Sequence, residues 1–259
     1  MRRLLGGFTL GLGFQLRAMV RSADTYFALV GAPFTTVVLM SMMLYSGRTD
    51  LASYAVVAPT LMSLWTAGLM FAGEMISEDR ENGRLEPLVA SPVSLPSLVF
   101  GRLCGAMLIS LPAFALAIAT AGLVFGVWIT IHHPLVFVLA ALATALATAA
   151  TVTALSAVFI VAPGARIVQN TLSMPMFLLA GVMVPVALFP GWLEGTSRVL
   201  YLSWGADLFR DALEPAPVEA VALRLFAVVA LGLAALAFGS LTLVRFLRRA
   251  RAEGTLSRA

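Results

Sequence analysis

Three observations predict an all-α integral membrane protein with six transmembrane helices. The first is composition: 60% of residues are hydrophobic and 12% charged, whereas a soluble domain carries about a quarter charged residues. The second is the spacing of charge. Residues 25–47, 51–73, 167–193 and 225–244 contain no Asp, Glu or Arg, and each exceeds the roughly 18–20 residues that cross a hydrocarbon core. Residues 103–165 are equally free of them, long enough for two crossings, and interrupted at His132-His133-Pro134. The third is the placing of arginine. With both termini inside, Arg2, Arg3, Arg17, Arg21, Arg80, Arg84, Arg102, Arg166, Arg245, Arg248, Arg249, Arg251 and Arg258 are cytoplasmic, and only Arg48, Arg198, Arg210 and Arg224 fall outside. The opposite orientation would invert the positive-inside bias. The net charge of +4 therefore follows from topology and gives no reason to expect nucleic acid.

In chain order, residues 2–22 place Leu4, Leu5, Phe8, Leu12, Leu16, Met19 and Val20 at mostly helical spacing with arginines elsewhere, which suits a helix lying in the cytoplasmic interface. Gly6, Gly7, Gly11 and Gly13 count against that helix by propensity. The first span covers about 25–46, capped by Ser22 or Asp24. A tight outer loop, Gly47-Arg48-Thr49-Asp50, leads to the second span, about 52–74. A charged segment, 77–93, follows. Pro96 suits the first turn of the third span, about 98–128; the fourth runs 134–161, the fifth 167–185 and the sixth 222–244. Between the last two, residues 186–220 interleave Trp192, Leu193, Val199, Tyr201, Trp204, Leu208 and Phe209 with Glu194, Arg198, Asp207, Arg210 and Asp211. That is too polar to span and too apolar for a free loop. Short helices at or dipping into the outer interface are expected, with Trp and Tyr at headgroup depth. The chain reads as a single transmembrane domain, 1–259, without internal repeat or cleavable signal peptide; the first span serves as an uncleaved anchor.

Some chemistry lacks its residues. All 17 basic residues are arginine, so the Lys that a P-loop GxxxxGK[ST] needs to reach phosphates does not exist. If ATP drives this protein, a separate chain hydrolyses it, and ATP and Mg are bound there rather than here. Cys104 is alone, which excludes an internal disulfide and argues against a Cys-based metal site. His132 and His133 are adjacent on a loop, a poor arrangement for one metal ion. Ionisable residues deep in a span mark proton relays and ion pathways, and none falls near the middle of a predicted span. The chain is not expected to be an enzyme.

The segment 77–93 is the densest charge cluster in the chain. A run of this kind also describes an ordinary solvated loop, but Leu85, Leu88 and Val89 at helical spacing give it one face that wants a partner. Gly83 and Pro87 break the helix near the membrane, so a short element can lie across the surface. Its makeup is that of a docking element for a soluble protein.

Here a resemblance enters. Glu81-x-Gly83-x-Leu85-Glu86-x-Leu88 followed by Ser91-Pro92-Val93 resembles the signature after the second span of permease subunits of ABC type-2 exporters, roughly E-x-G-T-L-E-x-L-x-x-[ST]-P-[VL]. Arg84 stands in place of the usual Thr, and Pro87 is atypical. The resemblance implies a cytoplasmic coupling helix between spans two and three, seated in a cleft of an ATPase subunit through Glu81, Gly83, Arg84, Leu85, Glu86, Leu88 and Pro92. It implies re-entrant outer helices between spans five and six, with Trp192, Asp207 and Arg210 at an outer gate; a packing lid without gating is the plain alternative. Asp207 and Arg210, three apart, can pair on a helix.

The resemblance also implies a homodimer in the inner membrane of a bacterial cell, with two ATPase chains. Methionines on spans one, two and five (Met40, Met42, Met43, Met62, Met70, Met174, Met176 and Met183) offer adaptable apolar surface, although such residues are also ordinary lipid-facing or core side chains. Met43, Trp65, Met70, Met176 and Phe177 are the candidate substrate path. The expected activity is export of a hydrophobic or amphipathic small molecule, a drug or natural product, as in multidrug efflux. Phe34, Tyr45, Trp65 and Phe71 keep a lipid-linked polysaccharide or glycolipid cargo open. A non-transporting membrane scaffold is the rival from another class.

Overall fold

A computed structural model describes residues 2–19, 23–47, 52–81, 83, 94–161, 165–184, 186 and 189–253. The described residues are helical apart from turns and short connections. The helices are α1 (Arg2–Met19), α2 (Ala23–Tyr45), α3 (Ala52–Glu81), α4 (Leu95–Ser110), α5 (Pro112–Phe125), α6 (Pro134–Val161), α7 (Ala165–Leu179), α8 (Gly191–Ser197), α9 (Tyr201–Leu213) and α10 (Val221–Glu253). Among the described residues, four stretches are long and apolar enough to cross a membrane: Ala52–Met75, Leu95–Phe125, Pro134–Ser156 and Val221–Thr242, with Leu29–Tyr45 a shorter apolar helix. The protein is an all-α, multi-pass membrane protein.

α3 is the central helix. Of its span window 72% is buried, against 11% for α10, which lies at the periphery. α3 packs against α2, α4, α5, α6, α7 and α9, and its Leu61, Trp65 and Leu69 join Leu103, Met107, Leu202, Leu208 and Phe209 in the core. Buried hydroxyls in the spans return to their own helix: Thr36 donates to Ala32 O at 2.8 Å, Thr60 to Val56 O at 3.0 Å, Ser110 to Ala106 O at 3.0 Å and Thr153 to Ala149 O at 2.6 Å. Back-bonding of this kind satisfies a hydroxyl where water is absent.

Small residues set the closest crossings. Gly232 and Gly239, seven apart on α10, lie directly over Ala147 and Ala154, seven apart on α6, and a methyl group at Gly232 would sit 2.7 Å from Ala147 Cα. With no hydrophobic effect to drive helices together in lipid, such close approach is what van der Waals association requires. The same device joins α1 to α4. Gly11 meets the Leu98 backbone and Gly101 meets Phe8, while Phe8 and Phe100 lie 5.6 Å apart and Arg102 sits 5.2 Å over the Phe14 ring. The glycines that lower the propensity of α1 thus include one that builds its contact surface.

Several boundaries differ from the sequence reading, each for a physical reason. The second span lies where expected, at Ala52–Met75, but its helix continues unbroken to Glu81, because charge is tolerated once the helix has left the hydrocarbon. The third span is divided at Leu111. Pro112 has no N–H, so the ladder tightens to Leu111 N–H donating to Leu108 O at 3.3 Å and Phe114 N–H to Leu111 O at 3.1 Å. α5 ends at Phe125 rather than near Trp128. α7 ends at Leu179 rather than near 185. Its 15 residues rise about 22 Å, short of the roughly 30 Å hydrocarbon core. α10 runs past 244 to Glu253. The fourth span, 134–161, coincides with α6.

Candidate functional site

Two places on the molecule carry the residues singled out from sequence, and α3 joins them. At its C-terminal end, Glu81 is the last residue of the helix, and Gly83 takes a left-handed φ of 63°, a conformation that favours glycine. Arg84, Leu85, Glu86, Leu88 and Pro92 lie outside the described residues, so the expected docking face rests on sequence.

At the opposite end of α3 is a polar network built around α9. Ten of the helix's residues are buried, among them Tyr201, Leu202, Leu208, Phe209 and Arg210. Phe209 stacks on Phe114 of α5 at 4.6 Å and meets Phe137 of α6 edge-on at 5.2 Å. Tyr201 donates its hydroxyl to Thr148 Oγ1 of α6 at 2.9 Å. Tyr201 is therefore a core residue, not the headgroup-level tyrosine expected from sequence. Trp192 of α8 is 75% exposed. Loop and helix end are closed together by the histidines: His132 Nδ1 bonds Leu213 O at 2.9 Å, His133 Nε2 bonds Ala216 O at 2.8 Å, and His133 N–H donates to Ala212 O at 3.0 Å. Against a carbonyl each ring nitrogen must be the donor.

Arg210 is the one charged residue buried among the described residues. Its Nη2 donates to both Gly181 O and Val182 O at 2.8 Å. These carbonyls follow the end of α7, which closes with Gly181 N–H on Leu178 O at 3.1 Å and Val182 N–H on Phe177 O at 3.2 Å, Gly181 at φ 68°. This is the glycine-terminated helix cap, and a cation beyond a helix C-terminus is favoured by the helix dipole. Irregular backbone at membrane depth is tolerated where protein buries it, and both Gly181 and Val182 are buried. The guanidinium carbon also lies 4.2 Å over the ring of Tyr54, in the first turn of α3. Burial lowers the Arg210 pKa, opposed by the nearby Tyr54, Asp207 and Asp211; an arginine stays charged regardless.

The pairing expected between Asp207 and Arg210 is present but long, 3.5 Å. Asp207 makes its close contact with Arg198, at 2.6 Å. Arg198 in turn lies 5.0 Å over Trp204, whose indole N–H donates to the Arg198 carbonyl at 2.9 Å. A second ion pair, Arg224 with Asp211, ties α10 to α9. Arg210 faces the α7 cap rather than along its own helix, and this weakens the pairing that sequence spacing suggests.

The candidate path residues do not share one environment. Trp65 and Phe177 are buried in the core. Met176 packs against that core, Met43 packs on a smaller cluster around Met40 and Val56, and Met70 is 47% exposed. Sequence reasoning missed Tyr54, Gly181 and the role of the two histidines. A lone tyrosine in the first turn of a span carries no local sign that distinguishes it from an interfacial aromatic.

A family model described as ABC-2 type transporter matches residues 8–213. The chain belongs to that family. No curated protein and no solved structure matches it significantly. The matched stretch begins within α1 and ends with the last residue of α9, so it takes in both the charged segment and the polar network around α9. This ABC-2 protein is a transmembrane subunit of an ABC transporter, a permease that works with a cytoplasmic ATPase.

Proposed function

We propose that this ABC-2 permease exports a hydrophobic or amphipathic small molecule, a drug or natural product, using ATP hydrolysed on a separate chain. The observation that carries the reading is α3: one continuous helix of 30 residues, about 45 Å long, running from the half-buried Tyr54, against Arg210, to the charged docking segment. ATP and Mg belong to the partner, since no lysine exists here to build a P-loop. Docking would run through Glu81, Gly83, Arg84, Leu85, Glu86, Leu88 and Pro92. Trp192, Asp207 and Arg210 belong to the outer gate.

The permease works as a homodimer in a bacterial inner membrane, both termini cytoplasmic. Support for a second copy comes from apolar side chains left uncovered on α2 and α7: Phe34 at 71%, Met42 at 64% and Met174 at 57% exposure. Such surface suits a partner helix, lipid or an apolar cargo alike. A glycolipid cargo keeps one observation in its favour, because Phe34 and Tyr45 expose aromatic surface on α2 while Trp65 is withdrawn into the core.

The test is transport into inside-out vesicles holding the permease and its ATPase, with a fluorescent amphipathic drug and a lipid-linked oligosaccharide as cargoes. ATP-dependent uptake of the drug alone supports the reading. Uptake of the oligosaccharide alone favours the alternative, and uptake of neither moves the assignment to a scaffold.

A further inference from the structure

We propose that Tyr54 is the joint through which α3 works the outer lid: a positioning residue whose ring holds Arg210 in the closed arrangement until α3 moves. The inference rests on the reading of the chain as an ATP-coupled permease. Three elements meet at one guanidinium. α9 carries it, the backbone after α7 accepts two hydrogen bonds from its Nη2, and α3, which also packs on α7 and α9, meets it with the face of Tyr54.

These attachments differ in how they yield. The bonds to Gly181 and Val182 are directional, and breaking them leaves a buried charge and buried carbonyls without partners, which is costly where water cannot enter. A cation over a ring is held by the ring's quadrupole, with tolerance for sliding and no donor orphaned when it parts. α9 is further fixed to α5 and α6 through Phe209 and Tyr201. When α3 is displaced, the polar attachment that gives is therefore Tyr54–Arg210, while Arg210 keeps α9 joined to Gly181 and Val182, and the lid opens along α3.

Sequence alone does not reveal this joint, since Tyr54 and Arg210 are 156 positions apart. The experiment measures electron–electron distances between spin labels at Ser53→Cys and Glu214→Cys in a Cys104→Ala background, on the purified permease and on its complex with the ATPase. Without nucleotide, wild type and Tyr54→Phe should give one short population. Tyr54→Leu should raise a second, longer population about fivefold relative to the short one, the scale of a lost, partly desolvated cation–π contact. Tyr54→Met, which keeps bulk without the ring face, should do the same and stands in if the leucine variant does not fold. A variant that lowers Tm while keeping the single short population would show a merely structural tyrosine and overturn the proposal, as would distances equal to wild type. The nucleotide-free comparison decides it whether or not an ATPase co-purifies.

Discussion

Arg210 concentrates the energetics of the outer side in one side chain. Its two charge-assisted bonds to carbonyl oxygens are each worth about 1.5–3 kcal/mol, and its removal leaves those oxygens buried. Arg210→Met is accordingly expected to cost about 3–5 kcal/mol, seen as a large fall in the Tm of the purified permease. Arg210→Lys should recover only part of it, because an ammonium lacks the planar fork that stacks on Tyr54 while reaching the α7 cap. Equal Tm for wild type and Arg210→Met would remove Arg210 from this role. Asp207→Asn should cost less, about 1 kcal/mol or below, since its close partner Arg198 is a third exposed and such pairs are weak. This ordering reverses what the sequence suggests, where Asp207 and Arg210 look like equal members of one pair. Residues three apart on a helix advertise a local pairing; a contact with a cap 28 residues away does not.

At the scale of elements, the glycines separate by what lies opposite them. Gly11 of α1 abuts the Leu98 carbonyl, whereas Gly13 faces open space. Gly13→Ala should therefore raise stability by roughly 0.5–1 kcal/mol through helix propensity, while Gly11→Ala should destabilise by forcing α1 off α4. Thermal unfolding of the two variants checks both signs, and a stabilising Gly11→Ala would contradict the packing. Gly239→Leu on α10 should similarly loosen the α6–α10 crossing. Helix positions were legible because apolar runs and charged breaks mark them: α2, α6 and the start of α3 fall where the sequence places them. Ends were less legible. Leu111 sits inside an unbroken apolar run, so hydropathy cannot show the break before Pro112. The end of α7 is set by the left-handed Gly181 within a stretch still apolar enough to cross. The burial of Tyr201 was hidden too, since an aromatic among polar residues looks interfacial until Thr148 is placed beside it.

At the scale of the molecule, the family and the permease role follow from the arrangement of spans and charged segment, whereas cargo choice depends on surfaces contributed by folding and assembly. Trp65 and Phe177, read as possible cargo contacts, are inside the packed core, because α3 buries the face it shares with α4 and α6, and α7 packs on α3. The central claim is that α3 carries force from a docked ATPase to the outer lid, and docking is its first requirement. Burial of Leu85 and Leu88 would contribute roughly 1.5–3 kcal/mol each, more than exposed ion pairs at about 0–1 kcal/mol. The most direct measurement is gentle purification from the native membrane, comparing wild type with the Leu85→Asp, Leu88→Asp double variant. A stoichiometric P-loop ATPase that elutes with wild type and is lost from a well-folded variant is the predicted result. An ATPase that binds both equally, or none with intact wild type, would contradict docking through this segment.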